Sequence, residues 1–130
     1  MIQSKMTKEY EVKEENLANV VRSGSLPVLA TPAVAAFLEE TAAALAQTEL
    51  AEGETTVGSK IALAHLAPTL PGSKVTVTAE LIEHSGRVFR FELEAKDESG
   101  LIATATHERV AVRAEQFMNR AQARKEAKES

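Results

Sequence analysis

The sequence contains no cysteine and no tryptophan, and only one tyrosine and four phenylalanines among its 130 residues. Without cysteine there is no disulfide and no thiolate metal site. The three histidines, His65, His84 and His107, lie far apart and lack ligand spacing, so no metal is expected. Positive charge is scarce as well: 15 Lys and Arg stand against 19 Asp and Glu, for a net charge of −4. Only the C-terminal tail is locally rich in Lys and Arg, and there they alternate with Glu. Nucleic-acid binding requires clustered cations to neutralise phosphates, and the chain has no such cluster. It also lacks an 18-residue apolar run and a basic-then-apolar beginning, so neither a membrane span nor a secretion signal is expected. A cytoplasmic location is the default.

What is present is an ordinary globular composition, 44% hydrophobic and 26% charged, in a chain the length of one domain, residues 1–130. Such a chain can bury roughly two thirds of its unfolded surface. Its organising stretch is Ala30 to Gln47, ATPAVAAFLEETAAALAQ. Thr31 and Pro32 form a helix start, with a hydroxyl able to cap free N–H groups and a ring suited to the first helical turn. Val34, Phe37, Leu38, Thr41, Ala42 and Leu45 then recur at helical spacing, and alanines occupy most other positions, so the helix over 32–47 should be buried on most sides. Its charged residues are Glu39 and Glu40. A carboxylate in apolar surroundings needs a partner or a role in chemistry.

Around this helix the grammar is extended. Residues 4–13 alternate weakly and suit an edge strand, with a short helical turn expected over Glu14 to Arg22. From Thr56 to His65 the chain is β-compatible, and Gly58 there signals a bulge or a close backbone approach. Lys74–His84 and Val88–Lys96 alternate cleanly, and a turn at Ser85–Gly86 joins them. Asp97 to Gly100 closes a second hairpin into a long last strand, Leu101 to Arg113. A charged helical tail over 115–130 follows, docked by Phe117 and Met118. The fold class is therefore α+β: an antiparallel sheet, expected as a four-strand meander after the helix, wrapped around one long helix. Such a half-barrel often protects its edges by dimerising.

Three segments carry a resemblance: ATPAVAAFLE at Ala30 to Glu39, VGSKIALAHLAPTLPGSKVTVTAEL at Val57 to Leu81, and GLIATATHERVAV at Gly100 to Val112. On these the chain resembles hotdog-fold thioesterases, and within them the fluoroacetyl-CoA thioesterase group, from about Val28 to Lys125. The resemblance implies a catalytic threonine, glutamate and histidine at Thr31, Glu39 and His65, the last two being 26 residues apart. It implies that Gly58 offers a backbone N–H near the thioester carbonyl. It implies no cofactor beyond the coenzyme A of the substrate. The segment at Thr106 to Arg109 also matches, without an assigned role. One departure stands out: the fluoroacetyl-specific members carry lid aromatics before the helix, whereas residues 16–30 here contain none. The expected activity is therefore hydrolysis of a small acyl-CoA other than fluoroacetyl-CoA.

Thioester hydrolysis needs a nucleophile, a proton carrier and donors to the carbonyl oxygen. Glu39 suits general base or nucleophile, His65 suits proton transfer, and Thr31 with the free N–H groups of the helix start suits polarisation. Eight residues of helix separate Thr31 from Glu39 by about 12 Å. The site is therefore expected at the interface of a homodimer or higher oligomer. Two other readings stay open, a non-catalytic acyl-CoA binding module and a hydratase or dehydratase on the same fold.

Overall fold

The computed structural model describes residues 4–129. Strand β1 spans Lys5–Glu11 and leads through a 3₁₀ turn, Glu14–Asn16, and a one-turn helix α1, Ala18–Val21, into α2, Thr31–Gln47. Strands β2 (Glu54–His65), β3 (Lys74–Ser85), β4 (Val88–Asp97) and β5 (Gly100–Arg113) follow, and α3 (Ala114–Glu129) ends the chain. Ser130, the last residue of the expected tail, lies outside the described residues.

The strands form one antiparallel sheet in the order β1-β3-β4-β5-β2. The expected meander holds for β3, β4 and β5 but not for β2, which pairs with β5 and so lies at the far edge from β3. The crossover is built into the proline-containing loop after His65, where the N–H groups of Leu66 and Ala67 both reach the carbonyl of Ile102 on β5. The predicted bulge is present: Gly58 pairs with Arg109 and Lys60 with Glu108, which leaves Ser59 as the extra residue. Between β3 and β4 the turn falls on Gly86 and Arg87, one residue later than expected, because Gly86 takes the positive φ of 61° that the tight turn needs.

Helix α2 lies across the inner face of the sheet. Val34, Leu38, Thr41, Ala42 and Leu45 are fully buried against Val75, Val77 and Ala79 of β3, Phe89 and Phe91 of β4, and Ile102 and Ala103 of β5. The alanines let the helix approach the sheet closely. Phe37 is only half-buried and stacks on Tyr10 of β1 at 4.3 Å between ring centroids. On α3, Phe117 is partly covered, but Met118 is exposed and does not dock. Among the described residues no helix is long and apolar enough to cross a membrane.

Candidate active site

The start of α2 and the end of β2 meet at one point. The hydroxyl of Thr31 lies 2.8 Å from Nδ1 of His65. This contact replaces the expected cap: the residue preceding the helix is Ala30, and no side chain caps the first turn, because the Thr31 hydroxyl is directed to the histidine instead. The other ring nitrogen, Nε2 of His65, is buried without a hydrogen-bond partner among the described residues. The pair forms one wall of an open cavity of about 310 Å³, whose other walls come from the 18–30 segment and from Leu66, Ala67 and Pro68.

The relative position of the pair is set by the two loops that flank it. Leu29 donates its N–H to the carbonyl of Thr69 at 2.9 Å, which ties the approach to α2 to the loop after His65. Thr69 is itself buried, and its hydroxyl donates to Asp97 Oδ2 at 2.8 Å.

Glu39 lies two turns further along α2, and its neighbours are different. Its Oε2 is 3.7 Å from Nη1 of Arg109 and 3.9 Å from Nε2 of His107. It also rests on Gly58, where a Cβ would lie 2.6 Å from that same oxygen. Gly58 has no positive φ, so the position calls for glycine because of space and not because of backbone conformation.

Arg109 and His107 are both buried on β5. Arg109 donates from Nε to the Thr56 hydroxyl at 2.8 Å and from Nη2 to the Thr56 carbonyl at 3.1 Å, so the guanidinium is held by its fork and presents Nη1 towards Glu39. His107 donates from Nδ1 to the carbonyl of Lys60, the residue after the bulge, at 2.7 Å, and accepts at Nε2 from Arg109 Nη1 at 3.2 Å. Burial, reinforced by the charge of Arg109, holds the imidazole below its ordinary pKa and outweighs the opposing pulls of Lys60 and Glu39. His107 is thus neutral at neutral pH, and its approach to Glu39 is not an ion pair. Burial also lowers Arg109, while Glu39 pulls it the other way.

The expected residues therefore fall into two groups within one chain: Thr31 with His65, and Glu39 with Gly58. The cavity beside Thr31 and His65 is lined by neither Glu39 nor Gly58. The second group includes two residues, His107 and Arg109, that the sequence reading left without a role. Their signal was present: on the alternating β5 they share the inward register with Ala103, Ala105 and Ala111, and a charged residue in an inward register requires a partner.

Comparison with known proteins bears directly on this arrangement. The model of the fluoroacetyl-CoA-specific thioesterase family matches residues 12–115, which include both groups. The chain belongs to that family. A fluoroacetyl-CoA thioesterase of Streptantibioticus cattleyicolor is 41% identical over 68 residues, covering 52% of this chain and 49% of that relative, so the match spans about half the relative's length. Among solved structures, a variant of the fluoroacetyl-CoA-specific thioesterase superposes with a TM-score of 0.89 at 26% identity, over 95% of this chain and 96% of that one. A thioesterase-superfamily protein of Thermus thermophilus superposes with a TM-score of 0.86 at 29% identity, over 98% of each chain. These relatives place the α+β sheet around α2 in the hotdog fold, as expected, and make the chain a homologue of thioester hydrolases.

Proposed function

We propose that the protein is a cytoplasmic acyl-CoA thioesterase whose two equivalent sites lie at a homodimer interface, with Thr31 and His65 supplied by one subunit and Glu39 and Gly58 by the other. The observation that carries this reading is the Thr31–His65 contact of 2.8 Å on the wall of an open cavity, in a chain of a thioesterase family. Solved relatives in complex with fluoroacetate and CoA, and with acetyl-CoA, support the ligand class.

The edges of the sheet support the dimer. β1 is a short edge guarded by Lys5, Lys8, Glu9 and Glu11, whereas β2 presents 12 residues with few charges on its free edge. Pairing two β2 edges antiparallel about a twofold axis between Ile61 and Ala62 would set Gly58 of one subunit opposite the partner subunit's His65. That register closes a gap of seven residues along the strand, about 23 Å, which a single chain leaves open.

In this reading the thioester carbonyl lies between the two groups. The carboxylate of Glu39, aimed by Arg109, attacks the carbonyl carbon or removes a proton from the water that does so. A C–O bond forms and the C–S bond breaks, and the departing thiolate takes a proton, supplied by the water consumed, through His65; where Glu39 attacks first, that water then cleaves the resulting anhydride and restores the carboxylate. Thr31, the backbone N–H of Gly58 and the N-terminal N–H groups of α2 supply donors to the oxygen that gains charge. The products are the free acid and coenzyme A.

Free-thiol release from a panel of acyl-CoA thioesters tests the activity. Glu39→Gln and His65→Ala should each lower it by about 10²–10⁴-fold, the range of general acid–base catalysis. Unchanged release in both variants would overturn the site, and binding without turnover in the wild type would favour a sensing module. A fully active monomer in sedimentation analysis would overturn the shared site.

A further inference from the structure

The cavity beside the Thr31–His65 pair has a chemistry of its own. Among the described residues, the only polar side chain on its wall besides that pair is Ser23, and the remainder are aliphatic or small, with Val28 and Leu66 the largest at the opening. Among the described residues no Lys, Arg, Phe or Tyr lines it. Leu66 is 58% exposed although it directly follows His65, so an apolar surface borders the reacting position and lacks a cover within the chain. At about 310 Å³ the space is at the lower end of small-molecule pockets and exceeds what a two-carbon acyl group fills.

We infer that this cavity receives the acyl group of a neutral aliphatic acyl-CoA longer than acetyl, with Val28 and Leu66 as its selecting side chains. The inference rests on the thioesterase reading and names the substrate class of that site. A dicarboxylic acyl group is disfavoured because its free carboxylate would lose water among aliphatic walls of this chain that carry no cation, while the guanidinium that accompanies Glu39, Arg109, is already engaged by Thr56 and by that carboxylate. A fluoroacetyl group, small and polar, would leave Val28 and Leu66 unfilled. Each methylene buried against them strengthens transition-state binding about fourfold, or roughly fifteenfold from acetyl to butyryl.

The test is kcat/KM of the full chain, by free-thiol release, on acetyl-, fluoroacetyl-, butyryl-, hexanoyl- and succinyl-CoA. The expected order is butyryl and hexanoyl above acetyl by at least tenfold, with fluoroacetyl and succinyl no better than acetyl. Leu66→Ala, at an exposed position where folding is not at stake, should reduce the butyryl-to-acetyl ratio several-fold. A maximum at acetyl or fluoroacetyl, succinyl turnover equal to butyryl, or a ratio unmoved by Leu66→Ala overturns the inference while leaving the thioesterase reading intact. Release from none of the five overturns both.

Discussion

The carboxylate of Glu39 occupies the space that a side chain at Gly58 would take: a Cβ there would lie 2.6 Å from Glu39 Oε2 and 3.2 Å from Arg109 Nη1. A glycine on β2 and a glutamate on α2 are thus a matched pair, and the backbone of one is the seat of the other.

Gly58→Ala separates seating from folding. The backbone at residue 58 is ordinary, and the closest obstacle is the far end of a flexible side chain, so the substituted strand can form by displacing the carboxylate. The expected result is a folded protein with stability changed by less than about 1 kcal/mol and thiol release reduced by at least about tenfold, because a displacement of about 1 Å costs up to 10²-fold. Thermal melts and steady-state kinetics of the same preparation check both halves.

Arg109→Lys addresses what directs that carboxylate. Lysine keeps the charge, but its three donors sit on one nitrogen and cannot span the Thr56 hydroxyl, the Thr56 carbonyl and His107 as the Arg109 fork does. Loss of the fork should cost about 1–3 kcal/mol of stability, since it leaves buried acceptors unpaired, and should lower kcat more than it raises KM. Equal kcat in the two proteins would show that Glu39 is directed by something else.

Much of the fold is legible in the sequence for a physical reason. The helical spacing from Val34 to Leu45 and the alternation over Val75–Ala79 and Phe89–Ala95 are direct records of burial, and the helix and the two strands lie where those periods put them. The position of β2 is not recorded in that way: its partner is β5, some 50 residues on, and the loop that carries the crossover reads locally as a turn. The site is similarly split. Thr31 and His65 stand out by motif, but the contact between them replaces an equally plausible helix cap, and only the tertiary arrangement decides which partner the hydroxyl takes. Arg109 and His107 look like ordinary strand residues until the inward register of β5 is known.

The neutral, buried His107 predicts a pH dependence of stability. Its folded pKa is lowered relative to the unfolded chain, so as pH falls the unfolded state takes up the proton first. The stability is fully present above the unfolded value, near 6.5, and is lost as pH falls through the folded value. His107→Asn, which retains an N–H for the Lys60 carbonyl and removes the titration, should therefore lose less of its melting temperature between pH 7.5 and 5 than the wild type does. Parallel curves would exclude His107 as the cause.

Thr69 offers a test of how the Thr31–His65 contact is held. It is buried, its carbonyl accepts from Leu29 ahead of α2, and its hydroxyl donates to Asp97 on the β4–β5 hairpin, so one residue registers both loops that flank the pair. Thr69→Val preserves shape and removes the hydroxyl, leaving Asp97 without that donor. A hydrogen bond to a charged group is worth about 1.5–3 kcal/mol, so the melting temperature should fall by several degrees. The more telling readout is kinetic: if the clamp sets the 2.8 Å contact, kcat drops in Thr69→Val with KM nearly unchanged, and Thr69→Ser restores it. Were the residue merely a packing element, kcat per folded molecule would stay the same in both variants at a temperature well below either melt.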